Sequence, residues 1–200
     1  MTNLYKNRIS FTQYIDHYLQ RGYEFVDGRL FAKRPEIMGE DGELIVSPAK
    51  PIHNAIANYI AHLLTTHTMV ESSLGMVFGQ ETGFIMDSQS NTMRASDVAY
   101  VPKERLAGVD LTEWLPFPPD LAVEVISEFD RASDVKRKNN EYMANGTRLL
   151  WVVYPDEKEI EIHQPDKTVI TLQVDDLLTG GTVLPDFQAY ISKIFSILDD

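Results

Sequence analysis

The segment Leu121-Ala122-Val123-Glu124-Val125-Ile126 constrains this chain more than any other. It is a nearly continuous apolar run that follows a turn at Trp114–Pro119, and such a run fits a β-strand covered on both faces. A helical pattern follows over residues 131–144 and stops at Asn145-Gly146, a favoured pair for ending a helix. Leu149 to Tyr154 is a second buried strand. Strand, helix and strand in that order, with a meander on each side, predict an α/β fold built on a mixed sheet.

The flanks carry their own signals. Ser10 and Gln13 have the spacing of a capping box, with Tyr14, Ile15, Tyr18 and Leu19 on one helical face and Gly22 as the stop. Asp27-Gly28 between Tyr23–Val26 and Arg29–Ala32 predicts a tight hairpin. Residues 35–51, rich in Gly, Pro and acids, read as an exposed loop. A helix is expected through Ile52, Ile56, Ile60 and Leu64, one strand over Met76–Met86, and another over Ala95–Val101. Ile160–His163 and Val169–Leu172 read as a closing hairpin, and Gln188–Leu198 as a final helix. Without repeats or linkers, residues 1–200 are expected to form one domain.

Composition removes several chemistries. The chain has no cysteine, which excludes disulfides, thiolate zinc sites and a cysteine nucleophile. Its histidines show no metal-binding spacing, so zinc is not expected. No apolar run reaches bilayer length, and MTNLYKNRIS lacks the apolar stretch of a signal peptide, so a soluble cytoplasmic protein is expected. The net charge is −12, which argues against indiscriminate binding to nucleic acid. The charge is uneven, however. The chain from Asp156 onward is strongly acidic, whereas Arg131–Lys138 is a basic strip and Arg29, Lys33 and Arg34 form a second patch. An acidic body with local basic patches is compatible with a polyanion docking at one place.

Three charges stand where propensity disfavours them. Glu124 interrupts the most apolar segment, and a buried carboxylate must be protonated, paired or bound to a cation. Alternation puts it on one face with Ala122 and Ile126. Asp97 is the same oddity in its own strand, sharing a face with Ala99 and Val101. Two strands each carrying one inward acid would make an oxygen-donor site for magnesium or manganese. On the following helix, Val135, Tyr142 and Met143 define the inward stripe, and Lys138 lies on it. Lys138 is thus a charge partner for the acids, or a group that holds a phosphate or polarises a water. Bland readings stand beside these. A Glu124–Lys138 pair can be purely structural, Asp97 alone a strand-end acid, Lys136 and Arg137 a solvated face, Asp120 a turn residue, and His53 a packing or capping histidine.

In combination, Ser96-Asp97-Val98-Ala99-Tyr100-Val101, then Pro119-Asp120-Leu121-Ala122-Val123-Glu124-Val125-Ile126-Ser127, then Asp134, Lys138, Tyr142 and Gly146 at spacings of four, then Leu150-Trp151-Val152-Val153, resemble the Uma family. These are restriction-endonuclease-like proteins, abundant in cyanobacteria, of the PD-(D/E)XK nuclease superfamily. The hairpin Tyr23–Gly28 and Ser47-Pro48 with His53 extend the likeness over nearly the whole chain. The resemblance implies a restriction-endonuclease-like core: a central mixed sheet flanked by helices, with a metal site where two strands diverge. It implies Asp97 as first acid and Glu124 as second, both holding Mg2+ or Mn2+ with help from the Val125 backbone carbonyl. Glu24 would be an additional acid, and Tyr142 and His53 would support these groups. The family pattern places a lysine two residues after the second acid, where this chain has Ile126. Lys138 is similar to the migrated lysine of such variants.

The implied activity is metal-dependent hydrolysis of DNA phosphodiesters, with Lys136 and Arg137 gripping the backbone and a homodimer cutting two strands. The alternative is a nuclease fold that has lost catalysis and serves as a binding or assembly module, which Ile126 and the acidic surface favour. Glycoside hydrolysis by the two acids ranks last. The apolar cluster Trp114, Leu115, Pro116 and Phe117 is expected to form an interface.

Overall fold

The computed structural model describes residues 8–32, 34–87 and 92–198; Lys33 of the N-terminal basic patch lies outside them. Ser10 caps α1 (Phe11–His17) with both hydrogen bonds of the box: its hydroxyl accepts from the Gln13 N–H at 3.1 Å, and the Gln13 side chain accepts from the Ser10 N–H at 2.9 Å. The helix is shorter than its apolar stripe and passes into a 3-10 turn over Leu19–Arg21, which Gly22 ends at φ 76°. Strands β1 (Tyr23–Val26) and β2 (Arg29–Ala32) then pair antiparallel around Asp27-Gly28. Both turn residues have positive φ, 49° and 74°, as a twisted two-residue hairpin requires.

The expected loop at 35–51 is instead a second short hairpin, β3 (Glu36–Met38) with β4 (Leu44–Val46). It stands mostly exposed, so it lacks the alternation by which a half-buried strand is recognised. Helix α2 (Pro51–Thr65) opens on a proline, which fits the first helical position, and buries Ile56, Ala57, Ile60 and Leu64. The expected strand 76–86 is two strands in two sheets: β5 (Gly75–Phe78) and β6 (Phe84–Asp87). The Gly79–Gly83 segment between them turns the chain, with Glu81 at φ 70°. Next come β7 (Thr92–Arg94), β8 (Val98–Pro102), the short α3 (Lys103–Leu106), β9 (Leu121–Val125), α4 (Ala132–Ala144) and β10 (Leu149–Tyr154). The chain closes with β11 (Glu159–His163), β12 (Val169–Leu172), β13 (Leu177–Gly180), β14 (Leu184–Tyr190) and α5 (Ile191–Phe195). The final helix starts three residues later than expected, because pairing with β13 draws Gln188–Tyr190 into β14, and its end over Ser196–Leu198 is a 3-10 turn.

The large sheet has strand order β12-β11-β10-β9-β8-β5, and within it β9 and β10 run parallel while their outer neighbours are antiparallel. This is the mixed sheet of the α/β class. Val98, Tyr100, Leu121, Val123, Trp151 and Val153 pack on one face with residues of α2 and α5. Ala99, Ala122, Leu150 and Val152 pack on the other with Tyr142 of α4. Strand β9 is therefore covered on both sides, which is why its sequence is so apolar. A smaller sheet, ordered β2-β1-β7-β6, packs α1 through Tyr14, whose ring stacks on Phe25 at 5.0 Å.

The Trp114–Phe117 cluster packs within the chain, with Leu115 buried, Trp114 and Phe117 half-buried and Pro116 exposed. Trp114 meets Phe11 edge-on at 5.9 Å, Leu115 is buried and bridges to Phe84, and Phe117 lies under the Arg105 guanidinium at 4.3 Å. Among the described residues, no helix is long and apolar enough to cross a membrane.

Candidate functional site

The β8–β9 ladder ends where the Asp97 N–H donates to the Val123 carbonyl at 3.1 Å. The next rung is not backbone to backbone. The Val125 N–H donates at 2.8 Å to Asp97 Oδ2, so the carboxylate occupies the place where the strands part. Glu124, on the α4 face as alternation requires, is held from two sides. Lys138 Nζ lies 2.6 Å from its Oε2, and the Tyr142 hydroxyl donates to its Oε1 at 2.7 Å. Lys138 and Tyr142 are one helical turn apart, so a single face of α4 supplies both. Burial raises the Tyr142 pKa well above 10, and the Glu124 charge raises it further; the hydroxyl therefore remains a donor.

Asp97, Glu124 and Lys138 line one cavity of about 40 Å³, together with Glu24, His53 and Arg34. Glu24 arrives on β1, with its Oε1 3.6 Å from Lys138 Nζ. His53, read from the sequence alone as a packing or capping histidine and from the resemblance as a support for the acids, is buried in α2 with its Nε2 3.2 Å from Asp97 Oδ2. Burial disfavours its imidazolium, but the hydrogen bond and charge of Asp97 outweigh that, and its pKa is raised above 6.5. Asp97 is thus oriented by a backbone N–H and a histidine, and Glu124 by a lysine and a tyrosine.

Sequence reasoning missed the group that binds this site to the rest of the protein. Arg94 on β7 is 1% exposed. Its guanidinium pairs with Glu24 on β1 and with Glu141 on α4, the Nε to Glu141 Oε2 distance being 3.0 Å. Burial opposes its charge, and the two carboxylates more than compensate, so its pKa is raised. Its position three residues before Asp97, beside the apolar Met93, was the available signal. The strip residues behave differently from one another. Arg137 bonds Asp134 and Glu141 at 3.3 Å and lies over the Phe31 ring at 4.8 Å, whereas Lys136 is exposed. Asp120 is more than a turn residue: it is buried, paired with Arg105, and 3.6 Å from Arg148.

Among the described residues, no three His, Asp or Glu side chains form a ready-made metal cage. The donor set still suits a hard cation. Asp97, Glu124 and the Val125 carbonyl are all oxygen donors, and magnesium needs only one or two carboxylates while keeping several waters. Lys138 supplies positive charge to Glu124 at the place where such an ion would be needed.

Among curated proteins, none matches the chain. A crystal structure described as a "putative nuclease belonging to DUF820" from Anabaena variabilis ATCC 29413 superposes with a TM-score of 0.67 at 16% sequence identity, covering 84% of this chain and 93% of that one, so the two share a fold. The model of a family described as "Uma2: Putative restriction endonuclease" matches residues 33–192, a stretch that holds Asp97, Glu124 and Lys138. The chain therefore belongs to the Uma2 family.

Proposed function

We propose that this protein is a divalent-metal-dependent endonuclease acting on DNA, carried by one domain over residues 1–200 and working as a homodimer. The observation that supports it best is the convergence of Asp97, Glu124 and Lys138 on one cavity where β8 and β9 diverge. Asp97, Glu124 and the Val125 carbonyl would hold Mg2+ or Mn2+. Such an ion neutralises charge on the phosphate and lowers the pKa of a bound water. The protein's own groups do the rest. Tyr142 and His53 fix the two carboxylates, so little reorganisation is needed when the substrate arrives. Lys138 presents an ammonium to the nonbridging oxygens and to the attacking water, the task that a lysine at position 126 would otherwise perform. Arg34 on the cavity wall and the exposed Lys136 supply cations for the flanking phosphates.

A second reading, a binding module without catalysis, draws on one observation: Lys138 is already engaged by Glu124, and position 126 is isoleucine. The two readings part in one experiment. Supercoiled plasmid is incubated with the purified protein and Mg2+ or Mn2+, with and without chelator, beside Glu124→Gln. Nicking or linearisation that needs the ion and is absent in the variant supports the enzyme. Ion binding by calorimetry without any cleavage supports the module.

A further inference from the structure

Beside the small cavity lies a larger one of about 610 Å³, beyond the ends of β9 and β10. The two share Ile126, Ser127, Asp130, Val135 and Asn139 as walls, so an occupant of the larger space abuts the carboxylate site. The volume is that of a small-molecule pocket.

Two groups on its wall have bonding capacity that the protein does not use. Asn139 follows Lys138 on α4 and is 6% exposed, yet its carboxamide has no hydrogen-bond partner among the described residues. Its polar atoms are not sealed from solvent, so the donor and the acceptor of the carboxamide open to the cavity and are available to an occupant. Glu161 on β11 is held through one oxygen only. The Tyr154 hydroxyl donates to Oε2 at 3.2 Å, and His163 Nε2 lies 3.0 Å from the same atom, which leaves Oε1 as an acceptor. Burial, then the Glu161 charge, raises the Tyr154 pKa, so this hydroxyl stays a donor and the carboxylate stays anchored.

The remaining wall says what such groups await. Asp130, Asp156 and Glu157 join Glu161 there against Lys136 and His163, an acidic balance that repels phosphate. Tyr154, Ile126 and Val169 add flat and apolar surface on which a ring can lie. The geometry points to a nucleobase pocket: a base bearing an exocyclic amine, splayed from the strand being cut, enters this cavity, donates its amine to Glu161 and pairs with the Asn139 carboxamide. A carboxamide offers a donor and an acceptor together, which matches the amine and ring nitrogen of adenine or cytosine; a carboxylate accepts from the amine alone. Thymine has a single ring N–H, which can serve the carboxamide or the carboxylate, whereas the two hydrogens of an amine serve both at once. The strand in this statement rests on the nuclease reading, whereas recognition of the base needs neither metal nor cleavage.

The test uses that independence. Full-length protein in chelator is titrated with adenosine, cytidine and thymidine into the millimolar range, with the Asn139 side-chain amide and the pocket's backbone amides followed by NMR. Adenosine or cytidine is expected to shift these signals, with thymidine at least about tenfold weaker. Asn139→Ala, a substitution a helix tolerates, is expected to weaken that binding at least about tenfold. Glu161→Gln removes the preference over thymidine, and circular dichroism verifies that both variants are folded. No shift with any nucleoside, equal affinity for all three, or a preference that survives both substitutions overturns the inference. Any of these leaves the plasmid result as it stands, and absence of plasmid cleavage leaves the nucleoside result as it stands.

Discussion

Asp120, just before β9, and Glu124, near its end, are both buried carboxylates with cationic partners, yet their surroundings differ in kind. Asp120 takes two arginines that reach in from solvent, Arg105 stacked on Phe117 and Arg148 with half its side chain exposed. That is a neutralised acid at the foot of a strand. Glu124 shares its cavity with Glu24, Asp97, Asp130 and Asp134, so five carboxylates line it against Lys138, Arg34 and His53, with Arg94 holding Glu24 from outside. Crowding like charges costs stability. A buried acid is therefore weak evidence of a site, because packing can require it; acids gathered against their mutual repulsion are stronger evidence.

The contrast can be broken by substitution at either end. The largest effect belongs to Glu124→Gln and Asp97→Asn: plasmid cleavage falls to background and calorimetric ion uptake is lost, while circular dichroism shows both variants folded. Cleavage at the parental rate by Glu124→Gln would return that acid to the same class as Asp120. Next, Lys138→Met should lower cleavage by about 10²–10³ in a single-turnover assay. Ion affinity should be kept or increased, since the ammonium no longer competes for Glu124; unchanged turnover would make the lysine structural.

At the other end, Asp120→Asn should leave cleavage intact and cost about 2 kcal/mol in urea denaturation, the value of charge-assisted bonds to partly exposed arginines. The smallest effect is set by pH. The His53 pKa is raised in the folded protein, so the pair with Asp97 contributes fully below about pH 6.5, the ordinary histidine value. That contribution disappears as pH rises through the higher folded value. The stability deficit of His53→Gln should thus be larger at about pH 5.5 than at about pH 9 in chelator; the reverse order would mean that the ring is held neutral.

Much of this was legible because burial on two faces leaves a strong imprint. The apolar β9 and β10, the α4 stripe with Lys138 on it, and the Asp27-Gly28 hairpin all follow from periodicity or turn chemistry. What stayed hidden has physical causes. Strands β3 and β4 are too short and exposed to alternate. One apolar stretch served β5 and β6 because the turn that sends them to separate sheets lies inside it. Arg94 was invisible as a partner because its two carboxylates, Glu24 and Glu141, lie 70 and 47 residues away. The place of His53 beside Asp97 came only from the family resemblance, since nothing in the spacing of the two residues shows that the fold brings α2 to Asp97.

The Arg94 linkage bears on how this protein can be trimmed. The family match begins at residue 33, but one of the two acids that neutralise Arg94 is Glu24, upstream of that point. A fragment cut to the shared stretch would lose the whole first hairpin, and with it Glu24 as half of the countercharge of Arg94, the Phe31 ring beside the guanidinium and the β1 strand paired with β7. The opening residues are therefore a working part of the machine, and dissecting it at the family boundary would discard a keystone.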